Sequence, residues 1–168
     1  MLKRLLAGSA VLGLLCGQAL AAVTANSVVT PQGLNPGFVQ FLQGTDSAGT
    51  YKILVNAGAN GSKCLGAHMS TDDGTATHLV TLQVTAGQVA NSGVRYGGAA
   101  LTTVLSAGFA NATPAQSLMA PNVWPGLAID SDGNPYLILG AGNSLQATFA
   151  SALTASTRIN LQITCFDY

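Results

Sequence analysis

The chain has 168 residues, of which only 7% are charged, six Lys+Arg against six acids that are all Asp. Soluble domains average about 25% charged residues. This charge poverty excludes a basic nucleic-acid footprint and a polybasic membrane patch. With 48% hydrophobic residues and 20 glycines, it also excludes a disordered chain and a long coiled coil.

The first 21 residues read as a secretory signal peptide. Lys3 and Arg4 give a basic start, Leu5 to Leu15 an apolar run, and Ala19-Leu-Ala21 a small-residue cleavage site. The run is too short to span a bilayer comfortably. Cys16 ends it, but Leu15 stands where a lipoprotein site wants a small residue. After cleavage, Lys52, Lys63, Arg95 and Arg158 face six Asp, a net charge of −2. No other stretch is apolar and long enough to cross a membrane. Residues 22–36 are polar and carry Pro31 and Pro36, which suggests an extended arm.

Residues 37–168 read as one all-β domain, an antiparallel sandwich of jelly-roll or Greek-key type with about eight strands. Period-2 alternation and turn residues place the strands. In chain order these are Phe38 to Leu42, Tyr51 to Val55, Cys64 to Ser70, Thr77 to Thr85, Val94 to Leu105, Tyr136 to Leu139, Ser144 to Phe149 and Arg158 to Cys165. The last is the clearest: Ile159, Leu161, Ile163 and Cys165 alternate with Arg158, Asn160, Gln162 and Thr164. Val80, Leu82 and Val84 share one parity, as do Leu145, Ala147 and Phe149. Turn clusters such as Asn56 to Gly61 and Gly140 to Asn143 separate the strands. Pro114 suits the start of a short helical turn running to Ala120.

Few residues suggest chemistry. Asp130-Ser-Asp132-Gly-Asn134-Pro-Tyr136 places oxygen ligands at alternate positions around a glycine, as a calcium loop does. Pro135 then stands where an EF-hand wants Gly, and Ala141 where it wants Glu, so an Asx turn joining Leu127-Ala-Ile129 to Tyr136-Leu-Ile-Leu139 is the plainer reading. Calcium at Asp130, Asp132 and Asn134 is thus the one candidate cofactor. His68 and His78, with Cys64, Asp72 and Asp73, match no zinc spacing. No Glu, no G-x-S-x-G elbow and no true phosphate loop is present, so catalysis is not expected. Trp124 could stack on a sugar, but a lone Trp beside Pro-Gly suits a core plug better. Cys64 and Cys165 form an even pair in an exported chain, a disulfide candidate. Cys165 lies on the core parity, whereas Leu65, Ala67 and Met69 compete with Cys64 for the inner side.

Gly37-Phe-Val-Gln-Phe-Leu-Gln-Gly-Thr45, Thr77-His-Leu-Val-Thr81, Trp124-Pro-Gly-Leu127, Asp130-Ser-Asp-Gly-Asn-Pro-Tyr-Leu137 and Ser144-Leu-Gln-Ala-Thr-Phe149 together resemble small β-rich proteins of bacteriophage and prophage structural regions. The resemblance covers most of residues 37–168. It implies a virion component, capsid decoration or head-associated, whose partners are proteins or copies of itself. No functional residue transfers with it. A signal peptide departs from that pattern, since a virion protein assembled in the cytoplasm needs none; an exported host gene derived from such a module would have one. Two readings follow: a structural module that docks on or cements a larger assembly, and an exported module that binds a glycan or cell-surface ligand.

Overall fold

The computed structural model describes residues 32–90, 101–105, 116–124 and 127–168. The signal peptide, residues 22–31 of the expected arm, Val94 to Ala100 and Pro114 lie outside them. Among the described residues there are ten strands: β1 Gly33–Leu42, β2 Lys52–Asn56, β3 Ser62–Thr71, β4 His78–Ala86, β5 Leu101–Leu105, β6 Gln116–Ser117, β7 Ala128–Ile129, β8 Pro135–Leu139, β9 Asn143–Phe149 and β10 Arg158–Asp167. They form two antiparallel sheets. The first runs β1-β10-β3-β8-β7, with β6 also pairing β3, and the second runs β2-β9-β4-β5. Every strand pairing among the described residues is antiparallel.

The alternation read from the sequence is the burial pattern of the strands. Ile159, Leu161, Ile163 and Cys165 of β10 are wholly buried, and so are Val80 and Leu82 of β4. The core takes side chains from both sheets, and Phe41 of β1 meets Phe149 of β9 with ring centroids 4.9 Å apart. Strand β9 departs from simple alternation. Its polar positions Ser144, Gln146 and Thr148 are buried as well. Gln146 Nε2 donates to Thr85 Oγ1 and Val89 O, and Ser144 Oγ to Gly87 O, so the end of β4 and the segment after it partner Ser144 and Gln146, whereas Thr148 Oγ1 is buried without a partner.

Three expectations are corrected. The arm does not extend to residue 36: β1 begins at Gly33, and Gly33–Pro36 pairs with Thr164–Asp167 in register. The described part of the expected helical turn, residues 116–120, holds the short strand β6, because His68 and Met69 of β3 offer it a ladder. Strand β4 starts at His78, one residue later than expected.

The two sheets approach most closely at their β1 and β2 edges. A Cβ added at Gly37 would overlap Leu54 O and lie 2.7 Å from Ile163 Cγ2. Only a residue without a side chain fits there. Lys52 of β2 donates from Nζ to Gln40 O of β1, and Asn35 of β1 donates to Asn56 O of β2. These side chains tie the two facing edges together. Gly37→Ala is expected to destabilise by about 3 kcal/mol or more, the upper end of overpacking, because a backbone oxygen cannot rotate aside. Urea unfolding measures this; a variant as stable as the parent would show that the strands separate freely here.

Candidate functional site: the outer face of the first sheet

The outer face of the first sheet is where the described chain departs most from an inert surface. Its composition follows from register. Leu34 of β1 pairs with Phe166 of β10, which pairs with Lys63 of β3, which pairs with Ile138 of β8. Two rows further in, past Pro36, Thr164 and Gly66, Phe38 aligns with Gln162 and His68. Leu34 and Phe38 are each 62% exposed, Ile138 57% and Leu65 43%. The opposite end of the face is mainly polar, although Leu42 of β1, opposite Arg158, is exposed there. There Gln40 Nε2 donates to Asn160 Oδ1 at 2.7 Å, and Arg158 Nε pairs with Asp72 Oδ2 at 2.7 Å. Leu34, Leu65 and Ile138 are thus gathered at one end of the face with Phe38 further along it, a grouping that suits a contact surface.

A β-bulge builds the centre of this patch. Thr164 pairs with Gly66, and the next residue, Cys165, pairs with Cys64. Leu65 is thus an extra residue on β3 with no partner on β10. The insertion reverses the parity of the strand, so that Cys64 and then Ala67 and Met69 all point inward. It also turns Leu65 out into solvent, between two depressions. One, of about 530 Å³, is lined by Gln32, Gly33, Leu34, Leu65 and Phe166. The other, of about 380 Å³, has Lys63, His68, Ser117, Asp130 and Asn134 as its polar lining, with Leu65, Met119 and Pro135 beside them. The Lys63 ammonium lies 4.4 Å from the centre of the Tyr136 ring, a cation–π contact that holds it over β8.

The structure places the sequence candidates as follows. Asp130 closes the β7–β8 hairpin. Its Oδ1 accepts from the backbone N–H of Asp132 at 3.0 Å and of Asn134 at 2.8 Å. Gly133, at φ 84°, supplies the left-handed residue the turn needs. The Asn134 N–H is the main cause that holds the Asp130 carboxyl below its ordinary range. Asp130 and Asn134 line the polar depression, whereas Asp132 is not among its lining residues. Among the described residues, no group of three or more His, Cys or acidic side chains is arranged to hold a metal.

His68 lies on the outer face, whereas His78 is enclosed. His78 Nε2–H donates to Asp73 Oδ2 at 2.9 Å, and both side chains are fully buried. Asp73 Oδ1 also accepts from the Thr75 and Ala76 N–H groups and the Thr75 hydroxyl, and Oδ2 from the Thr154 N–H. This carboxylate pins the β3–β4 loop to the β9–β10 loop. Asp72, its neighbour, points to Arg158 instead. Trp124 is buried as a plug, with 2% of its surface exposed, and offers no stacking platform.

Cys64 and Cys165 face each other across β3 and β10 and are joined by a disulfide, with Cα atoms 3.9 Å apart and both residues fully buried. The feature that sequence reasoning missed is the bulge at Leu65. Its trace in the sequence is the out-of-phase pair Cys64 and Ala67, separated by Leu65-Gly66.

No protein-family model and no curated protein matches the chain. Among solved structures, it is similar to a chain of the cyanophage Pam1 capsid asymmetric unit, at 20% identity and a TM-score of 0.38, over 81% of this chain and 84% of that one.

Proposed function

We propose that the chain is a non-catalytic structural module of virion type, which docks on protein surfaces through the apolar end of the first sheet's outer face. The observation that carries this is the set of exposed apolar side chains on that face: Leu34 and Ile138 in one register row, Leu65 on the bulge beside it and Phe38 two rows along. Burying it against a partner removes apolar surface from water at about 25 cal/mol per Å². The one cation in that row, Lys63, rests on Tyr136, so few charges would have to be desolvated.

Light scattering over a range of concentrations tests the reading. The parent is expected to associate, and Phe38→Asp or Ile138→Asp to weaken association at least about tenfold, since each buries a carboxylate in an apolar contact. Because both residues are exposed, the circular dichroism and melting temperature should stay those of the parent. Association unchanged in both variants would sink the reading.

A second reading has one observation of its own. The depression beside β8 joins hydrogen-bonding groups of Lys63, His68, Ser117, Asp130 and Asn134 to the apolar Leu65, Met119 and Pro135. Hydrogen-bonding groups beside apolar side chains are what a sugar ring requires. A strict monomer that binds a defined glycan, and loses it on Lys63→Ala, would favour this reading over docking.

In either case we propose export with cleavage after Ala21. The intact mass of the periplasmic product from a Gram-negative host should correspond to a chain starting at Ala22. A full-length cytoplasmic product would overturn export and agree with intracellular virion assembly.

A further inference from the structure

We infer that the depression between β6 and β8, beside Gly66, binds one unit of a sugar acid, with its carboxylate on Lys63 and its hydroxyls on Ser117, Asp130 and Asn134. The inference rests on the second reading above, whose ligand it names, and is independent of the docking face.

The depression exists because two strands share one edge of β3 and leave a gap between them. Strand β8 pairs with Ser62 to Cys64, and β6 pairs with His68 and Met69. Continued in the same register, β8 would bring Pro135 opposite Gly66, and Pro135 has no N–H to give to a ladder. The edge therefore opens at Leu65 and Gly66. Polar groups flank the gap on both sides, Ser117 from β6, and Asp130 and Asn134 from the β7–β8 hairpin. Gly66 lines the depression between them. Its φ is not left-handed, and a Cβ added there would meet nothing within 4 Å beyond its chain neighbours. Neither backbone conformation nor crowding demands a glycine, which weakens a strand. What the missing side chain leaves is open space, part of a volume of about 380 Å³. That is the small end of the range for bound ligands and suits a single ring.

Lys63 sets the charge of the ligand. Lys52 and Arg158 each pair with a carboxylate at 2.7 Å, whereas Lys63 has no ion pair among the described residues. Its ammonium rests 4.4 Å from the centre of the Tyr136 ring, a contact that holds the group in place without neutralising it. Asp130 is the nearby carboxylate, but its Oδ1 already accepts from the N–H groups of Asn134 and Asp132. Those N–H groups, ahead of Lys63, hold its carboxyl low, so the ammonium is left for a ligand. A ligand carboxylate would give Lys63 the charge-assisted hydrogen bond that the described chain does not supply. A simple carboxylate would leave Ser117, Asp130 and Asn134 unused. A ring bearing hydroxyls gives them partners, and its C–H face can meet Leu65, Met119 and Pro135.

The test is a titration of the full chain followed by NMR. The probes are galacturonate and glucuronate, their neutral counterparts galactose and glucose, acetate, and trigalacturonate as a piece of polymer. The sugar acids are expected to bind at least about tenfold more tightly than the neutral sugars or acetate, the worth of one charge-assisted hydrogen bond. Added salt should weaken the acids and leave the neutral sugars alone. Lys63→Gln should erase the preference for acids and Lys63→Arg keep it. Gly66→Val fills the open space with a residue that suits a strand, so it should fold at least as stably as the parent and lose both classes of sugar. Tighter binding of trigalacturonate than of galacturonate identifies a polysaccharide as the source, and equal binding a free sugar acid; both support the inference. Neutral sugars that bind as tightly as the acids, and are lost in Gly66→Val, would overturn the acid preference and leave the sugar reading standing. Acetate binding as tightly as the sugar acids would overturn the inference, as would acid binding that Lys63→Gln or a folded Gly66→Val leaves unchanged. No binding of any sugar sinks the inference and the second reading together, and leaves the docking face untouched.

Discussion

Replacing Cys64 and Cys165 together by alanine is expected to lower stability by about 4–5 kcal/mol. The residues are 101 apart in sequence, and in the chain-entropy account a cross-link closing a loop of about 100 residues removes roughly that much free energy from the unfolded state's favour. For a domain of this size, such a loss lowers the melting temperature by roughly 10–20 °C. The position of the bond adds to the expectation. It joins β3 to β10, the two central strands of the first sheet, at the rung next to the bulge. There the ladder is interrupted and Leu65 has no partner. Loss of the bond should therefore loosen the bulge first, and with it both depressions. Hydrogen exchange of Leu65 and Gly66 would report this before global unfolding does. Two thiols titrating in the denatured, unreduced protein would rule the bond out, and an unchanged melting temperature after reduction would rule out its contribution.

Asp73→Ala is the second large effect, expected to cost about 3–5 kcal/mol. Removing one partner of a buried charged network leaves the others unpaired, and that penalty dominates. The N–H groups of Thr75, Ala76 and Thr154 and His78 Nε2 would all lose their acceptor. His78 Nδ1 is already buried without a partner, so the imidazole would have none at either nitrogen. Asp73→Asn should recover part of the loss. Its carbonyl can still accept from Thr75 and Ala76, although its amide meets the Thr154 N–H.

Asp73 also sets the acid limit of the fold. Burial pushes its carboxyl up, but the Thr75 N–H, then Thr154, His78 and the Thr75 hydroxyl outweigh burial and hold it far below the ordinary carboxylate range. In the unfolded chain the group takes up its proton at about pH 3.9, while in the folded protein it stays ionised. The unfolded state thus binds more protons as pH falls. The stability this group contributes is complete well above pH 4 and drains away progressively below it. Parent and Asp73→Ala stabilities, measured by urea unfolding between pH 7 and pH 2, should converge toward acid. A constant gap would show that the ionised carboxylate is not the source.

The sequence by itself determined the class of fold and most of the strands. Each rests on local chemistry. Alternation at Ile159, Leu161 and Ile163 needs only one wet and one dry face to have meaning. Asp130 to Asn134 closes its turn with its own side chain, so that hairpin was legible without any distant partner. The pairing of Asp73 with His78 lies only five residues apart, yet it was not legible. Which of several polar side chains is enclosed depends on the loop that covers it, here the one bearing Thr154. The outer face was decided only in three dimensions. Leu34, Phe166 and Ile138 come from three strands far apart in the chain, and only strand order makes them neighbours. The bulge shows the same limit at single-residue scale. Leu65 sits in a run, Cys64 to Met69, where two parities compete, and the chain could not point both Cys64 and Ala67 inward as a regular strand. Pairing with β10 resolved the conflict by expelling one residue, because a core position for Cys64 opposite Cys165 and core positions for Ala67 and Met69 together bury more than a regular strand could. The cost fell on Leu65, which was turned outward to become the centre of the surface proposed for docking.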